Sequence, residues 1–187
     1  EIGVRLVGSE MCIRDRTEII WLGRGGQGAF TAAKLLGAAY ADKESENYAL
    51  AFPSFGPERR GAPVRAFTKL SSKPVLDRSE TEKADYIIIL DDTLYSDSLK
   101  NLLKSNGKII VNSRKIADEN IIAFDCDSIA RELRLPTVNT ILLGIFSAVS
   151  GAVSVKDIER SIDGYMPEKI REKNKQAVRK STEEVLK

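Results

Sequence analysis

The sequence predicts an α/β domain with a mostly parallel sheet covered on both faces. Three observations lead there. Short apolar runs such as Ile19-Ile20-Trp21-Leu22 and Tyr86-Ile87-Ile88-Ile89-Leu90 read as strands buried on both sides. Segments with apolar residues at three- and four-residue spacings lie between those runs, as helices would. The chain of 187 residues, 42% hydrophobic and 30% charged, suits one core rather than a disordered or low-complexity chain.

In order along the chain, residues 17–22 form the first strand and Gly23-Arg24-Gly25-Gly26-Gln27-Gly28 follows it. Ala29, Ala32, Ala33, Leu36 and Tyr40 then mark a helix over 29–41, with small residues that suit close packing on a sheet. Residues 47–52 read as a second strand, 53–63 as a loop rich in Pro, Gly and Arg, and 64–70 as an alternating strand. The central strand 85–90 ends at the polar turn Asp91-Asp92-Thr93. A helix is expected over 94–104, a turn at Asn106-Gly107, and strands over 108–112 and 120–124. Asp127 is the expected N-cap of a short helix over 127–133. A helix over 137–150 stops at Gly151, and Ser154 with Asp157 forms a capping box before a helix to about residue 163. Pro167 fits the first turn of a long charged final helix. Ligands of such sheets sit beyond the carboxyl ends of the strands, the first of which is Leu22.

Composition removes several function classes. The 29 basic and 27 acidic residues nearly balance, so no large field recruits nucleic acid. The longest apolar stretch, around 141–149, is far shorter than the roughly 20 residues that span a bilayer. No membrane partner is expected, and with no disulfide framework a cytoplasmic location is. Two cysteines, Cys12 and Cys126, are too few for an iron–sulfur cluster. The absence of histidine removes a Ser–His–Asp triad and most His-based metal sites. Residues 1–16 contain Leu6-Val-Gly-Ser-Glu-Met-Cys-Ile-Arg-Asp-Arg16, which resembles one reading frame of a transposon-end sequencing adapter. They are expected to be a disordered, non-native leader, and 17–187 a single domain. Removing Arg5, Arg14, Arg16, Glu1, Glu10 and Asp15 with it leaves the charge balance unchanged.

Gly23, Gly25 and Gly28 satisfy G-x-G-x-x-G between a strand and a helix, where backbone N–H groups and the helix dipole can meet an anion. The NAD form of the motif needs an acidic residue at the end of the second strand. Here that end reads Phe52-Pro53-Ser54, which argues against an independent NAD site. The alternative is that the glycines only close a turn and allow helix–strand packing. The segment from Phe55 to Arg65 places Glu58, Arg59, Arg60 and Arg65 between Pro and Gly breakers. Arginine forks there can hold carboxylates or phosphates, or the loop is simply solvated with a Glu58–arginine ion pair.

These two loops, with Tyr86–Asp91, Pro136–Thr140, Met166–Lys169 and Lys173-Asn174, resemble the gamma subunit of the pyruvate:ferredoxin oxidoreductases, within the 2-oxoacid:ferredoxin oxidoreductases. The resemblance covers essentially all of 17–187. It implies a Rossmann-like, three-layer α/β/α domain in an enzyme that cleaves a 2-oxoacid oxidatively. Such an enzyme passes the acyl group to coenzyme A and two electrons to ferredoxin. It also implies alpha, beta and delta partner subunits that carry the thiamine diphosphate and iron–sulfur clusters, with none bound by this chain alone. On this reading Gly23, Arg24, Gly25, Gly26, Gln27 and Gly28, with Glu58, Arg59 and Arg60, shape the coenzyme A channel or a subunit interface, and no residue here is catalytic or a metal ligand. Cys126 reads as a packing cysteine, Trp21 as core or interface, Asn139-Thr140 as a helix cap, and Lys173 and Asn174 as a mainly solvated face. A free-standing dinucleotide-binding oxidoreductase and a purely structural docking subunit remain as alternatives. An acidic side chain that reaches the ribose position beside Gly25 would mark the former, and loops that do not converge on one concave site would mark the latter.

Overall fold

The computed structural model describes residues 16–43, 46–54, 61–116, 118 and 120–187. Among them are six strands, β1 (Arg16–Arg24), β2 (Tyr48–Pro53), β3 (Pro63–Ser71), β4 (Ala84–Ile89), β5 (Leu103–Asn112) and β6 (Ile121–Phe124). Five α-helices accompany them: α1 (Ala29–Ala41), α2 (Cys126–Leu133), α3 (Asn139–Ser150), α4 (Val155–Tyr165) and α5 (Glu168–Val185). The expected leader lies outside the described residues except for Arg16, which begins β1 opposite Ser71.

The strand order is β2-β3-β1-β4-β5-β6. β3 runs antiparallel to both β2 and β1, so β2 points the same way as β1. β4, β5 and β6 are parallel to β1 in turn. Five strands therefore share one direction, and their carboxyl ends gather at one edge with the start of β3. The continuous apolar runs cause this, because a strand apolar on both sides needs cover on both faces. The cover is uneven. Ile19, Trp21, Ile88 and Ile110 face one core with all five α-helices. Ile20, Leu22, Phe67, Ile87 and Ile109 face a second, covered partly by Leu94, Leu99 and Leu102 from two short 3-10 helices, Asp92–Leu94 and Asp97–Leu102.

Those two turns replace the helix expected over 94–104. The Asp91 carboxylate caps the first turn at the Thr93 N–H, and extended Tyr95 and Ser96 break the path before the second. Asn106-Gly107 is no chain reversal either. It lies inside β5, where the register jumps from Ala84↔Leu103 to Tyr86↔Lys108 and the extra residues bulge. The α2 cap is Asp125 rather than Asp127, because the helix starts one residue early and Asp125 accepts from the Ser128 N–H at 3.1 Å. The boundaries of α1, the stop of α3 at Gly151 (φ 63°) and the Ser154–Asp157 capping box agree with the sequence reading.

Buried polar groups pin the layers. Trp21 is core, and its Nε1 donates to Thr68 Oγ1 at 3.0 Å while that hydroxyl donates to the Ala33 carbonyl at 3.1 Å, tying α1 to the sheet. Thr140 donates to Asn174 at 2.8 Å, so Asn174 is a buried link between α3 and α5 and not part of a solvated face. Cys126 is buried, and burial pushes its thiol far above the ordinary range, as expected of a packing residue. At the amino end of the sheet the Lys69 ammonium, 1% exposed, donates to Asp77 Oδ2 at 2.9 Å and to the Ser79 carbonyl at 2.7 Å. A buried ammonium needs this degree of satisfaction.

Acidic groups decide the pH response. Hydrogen bonds from the Ser79 hydroxyl, Lys69 and Arg16 hold the Asp77 carboxyl well below its usual range. Asp157 is also lowered: burial raises it, but the Ser154 and Arg160 bonds win. A carboxyl depressed by folding contributes stability above its unfolded value, near pH 4, and loses it as pH falls. The chain has no histidine, the side chain whose ordinary range falls between pH 5 and 8. The melting temperature should be flat from about pH 5.5 to 8 and fall progressively below about pH 4; a steep loss between pH 5 and 7 would contradict the assignment.

Candidate functional site

The carboxyl edge gathers most of the residues that the sequence singled out. β1 ends at Arg24, and the glycine loop turns into α1 with Gly26 at φ 96° and Gly28 at φ 80°. An L residue with a side chain is strained in that region, so glycine is needed at both. Gly28 has a second constraint. A Cβ there would lie 2.5 Å from Asn139 Nδ2, and that amide donates to the Gly28 carbonyl at 3.3 Å. Asn139 is thus not a cap. It fastens the start of α3 to the start of α1, and the Thr137 hydroxyl orients it at 2.8 Å.

The loop spends much of its hydrogen-bonding capacity on itself and its neighbours. The Arg24 N–H donates to Gln27 Oε1 at 2.7 Å, and the Gln27 N–H returns to the Arg24 carbonyl at 2.9 Å. The Gly25 N–H donates to the Ala62 carbonyl at 2.8 Å, and the Gly61 N–H to the Gly25 carbonyl at 3.1 Å. The glycine loop therefore meets the chain that leads out of the arginine-rich loop. Glu58, Arg59 and Arg60 lie outside the described residues.

Asp91 at the end of β4 is the acidic group beside this loop. Its Oδ2 accepts from Arg24 Nε and Gln27 Nε2, each at 3.1 Å, and its Oδ1 from the Thr93 hydroxyl and N–H. Burial raises its carboxyl, but the Thr93 and Gln27 bonds and the Arg24 charge outweigh that and keep it ionised. The NAD form of the motif places its acid after the second strand; here antiparallel β3 is inserted between β2 and β1, so β4 is the parallel neighbour of β1 and the acid beside the glycine loop is Asp91, whose oxygens are taken by Arg24, Gln27 and Thr93. The signal was the Asp91-Asp92-Thr93 turn after a central strand.

Two clefts open at this edge. One, of about 580 Å³, is lined by Gln27, Asp91, Asn112, Arg114, Arg131 and Thr137. Several of its polar groups are paired internally: Asn112 donates to Asp127 and accepts from the Cys126 N–H, and Arg114 bonds Asp125 and Ser128. The other, of about 480 Å³, is lined by Leu22, Phe30, Ser54, Pro63, Arg65 and Leu94 among others, so both described flanks of the arginine-rich loop border it. Among the described residues no three His, Cys, Asp or Glu side chains group to hold a metal ion, and none of the helices is long and apolar enough to cross a membrane. Cys126, buried between Asp125 and Asp127, does not fit as a cluster ligand.

Known proteins resemble this chain along nearly its whole length. The family model described as "Pyruvate ferredoxin/flavodoxin oxidoreductase" matches residues 18–184. Pyruvate synthase subunit PorC of Methanothermobacter thermautotrophicus is 42% identical over 175 residues, 91% of this chain and 96% of that protein. The pyruvate/ketoisovalerate oxidoreductases common subunit gamma of Pyrococcus furiosus is 37% identical, covering 89% of this chain and 95% of that one. The crystal structure of pyruvate oxidoreductase subunit PORC from Thermotoga maritima superposes with a TM-score of 0.76 at 31% identity, covering 91% of this chain and 97% of that chain.

Gly28→Ala should cost about 2 kcal/mol or more in urea unfolding, from the left-handed backbone and the Asn139 contact together. Adding Asn139→Ala should return part of that loss. A midpoint unmoved by Gly28→Ala would show that neither constraint holds.

Proposed function

The chain belongs to the pyruvate ferredoxin/flavodoxin oxidoreductase family, and we propose that it serves as the gamma subunit of a pyruvate (2-oxoacid):ferredoxin oxidoreductase. The observation that carries this reading is the family match over 18–184, which takes in both loops. The chain works in a cytoplasmic complex with alpha, beta and delta subunits and is inactive alone. Those partners hold thiamine diphosphate and the iron–sulfur clusters, and the complex delivers electrons to ferredoxin. The named relatives include a pyruvate synthase subunit and a subunit common to pyruvate and ketoisovalerate oxidoreductases, which supports a 2-oxoacid chosen mainly by other chains.

Within that complex the glycine loop and Glu58, Arg59 and Arg60 shape the coenzyme A channel or the subunit interface beside it. The bonds of Gly25 to Gly61 and Ala62, and the second cleft between Ser54 and Arg65, support this placement. Diphosphate and phosphate groups are what paired arginines recognise. A second reading, docking without ligand contact, draws on one observation: the N–H groups of Arg24, Gly25 and Gln27 are already used inside the protein.

Arg59→Ala and Arg60→Ala in the assembled enzyme separate the two. A lost charge-assisted bond is worth about 1.5–3 kcal/mol, so the apparent coenzyme A affinity should weaken about tenfold or more. Unchanged affinity with unchanged assembly would remove the coenzyme A contact and leave the docking reading.

A further inference from the structure

Arg24 reads from the sequence as a cofactor-binding residue, but its guanidinium is committed inside the protein. Nε donates to Asp91 Oδ2 at 3.1 Å, Nη1 to the Gly61 carbonyl at 3.2 Å and Nη2 to the Thr93 hydroxyl at 2.7 Å. Three chain segments distant in sequence therefore meet on one planar group: the end of β1, the turn after β4 and the residue that follows Arg60. We propose that Arg24 is a positioning residue, which fixes Gly61 against the glycine loop and the end of β4 and so sets the spacing of the two clefts.

Several features favour this role over direct ligand contact. A guanidinium has five N–H donors in a rigid fork, and bonds in three directions fix its plane. Its main partner, Asp91, stays ionised and is held further by Gln27 on the same oxygen, Oδ2, and by Thr93 on Oδ1. Gly61 is thereby bound twice, through its carbonyl to Arg24 and through its N–H to Gly25. The turn after β4, which Arg24 holds through Asp91 and Thr93, contributes to both clefts: Asp91 lines one and Leu94 the other. A loop end held before binding has less entropy to lose when a ligand arrives. Lysine offers one compact charge and cannot span three partners of this geometry.

The expected effect on coenzyme A rests on the placement proposed above, so the test reads position and affinity separately. In the assembled oxidoreductase, Arg24→Met should speed hydrogen exchange of the Gly25 and Gly61 amides about tenfold or more, with α3 and α5 unchanged. The KM for coenzyme A should rise severalfold with kcat within about twofold. Arg24→Lys should not rescue either. Thr93→Val removes the hydroxyl that accepts from Arg24 and donates to Asp91, leaves the other two Arg24 bonds in place, and guards against a folding defect in the first variant; it should shift both readouts the same way but less, and Arg24→Met/Thr93→Val should add little to Arg24→Met alone. Unchanged exchange at Gly25 and Gly61 in Arg24→Met would overturn the positioning role. Faster exchange with an unmoved KM would support the positioning role and instead refute the coenzyme A placement.

Discussion

The carboxyl edge of the sheet depends on one carboxylate. Asp91 stands where β4 ends, and Arg24, Gln27 and Thr93 all bond to it. The contribution to stability is modest, since Arg24 is 35% exposed and water screens such pairs. Its value is geometric. Remove the anion and three donors lose their common reference, and the glycine loop, the 3-10 turn after β4 and Gly61 no longer share a position. The edge is wired internally before any partner meets it.

The body of the domain makes that wiring possible. Five strands point one way because their apolar runs demand cover on both faces, and β3 reverses only to return the chain from the edge strand. Trp21, Thr68 and the Ala33 carbonyl lock α1 over β1 and β3. Asn139 then brings α3 against the turn at Gly28, where no side chain can fit. The helical face is deep and the opposite face thin, so the clefts open at an edge whose walls come from different layers. This suits a chain that lends shape to a larger assembly.

Much of this was legible in the sequence, for physical reasons. Continuous apolar runs announced β1 and β4, and three- and four-residue spacing with small side chains gave α1 to the residue. The Gly151 stop and the Ser154–Asp157 box depend on local chemistry, which sequence spacing records. What failed depended on distant contacts. Residues 94–104 have helical spacing but are claimed by the second core face as two short turns. Asn106-Gly107 carries a turn signal that β5 absorbs as a bulge. Asn139 and Asn174 looked like a cap and a surface residue because their partners, Gly28 and Thr140, are far away in the chain. At the site, the glycine loop is marked by its glycines, two of which take positive φ, while Glu58, Arg59 and Arg60 lie outside the described residues. The role of Arg24 was not legible, because nothing in its neighbourhood names Asp91, Thr93 or Gly61.

If this carboxyl edge, where Gly25 is bonded to Gly61 and Ala62, faces the reacting parts of a larger enzyme, a structure of the chain assembled with its partner subunits in the presence of coenzyme A tests it most directly. The glycine loop, Gly61 and the cleft beside Arg65 should be covered by partner subunits, with coenzyme A within contact distance of that edge. A complex docked through the amino end of the sheet, leaving this edge in open solvent and far from coenzyme A, would contradict it.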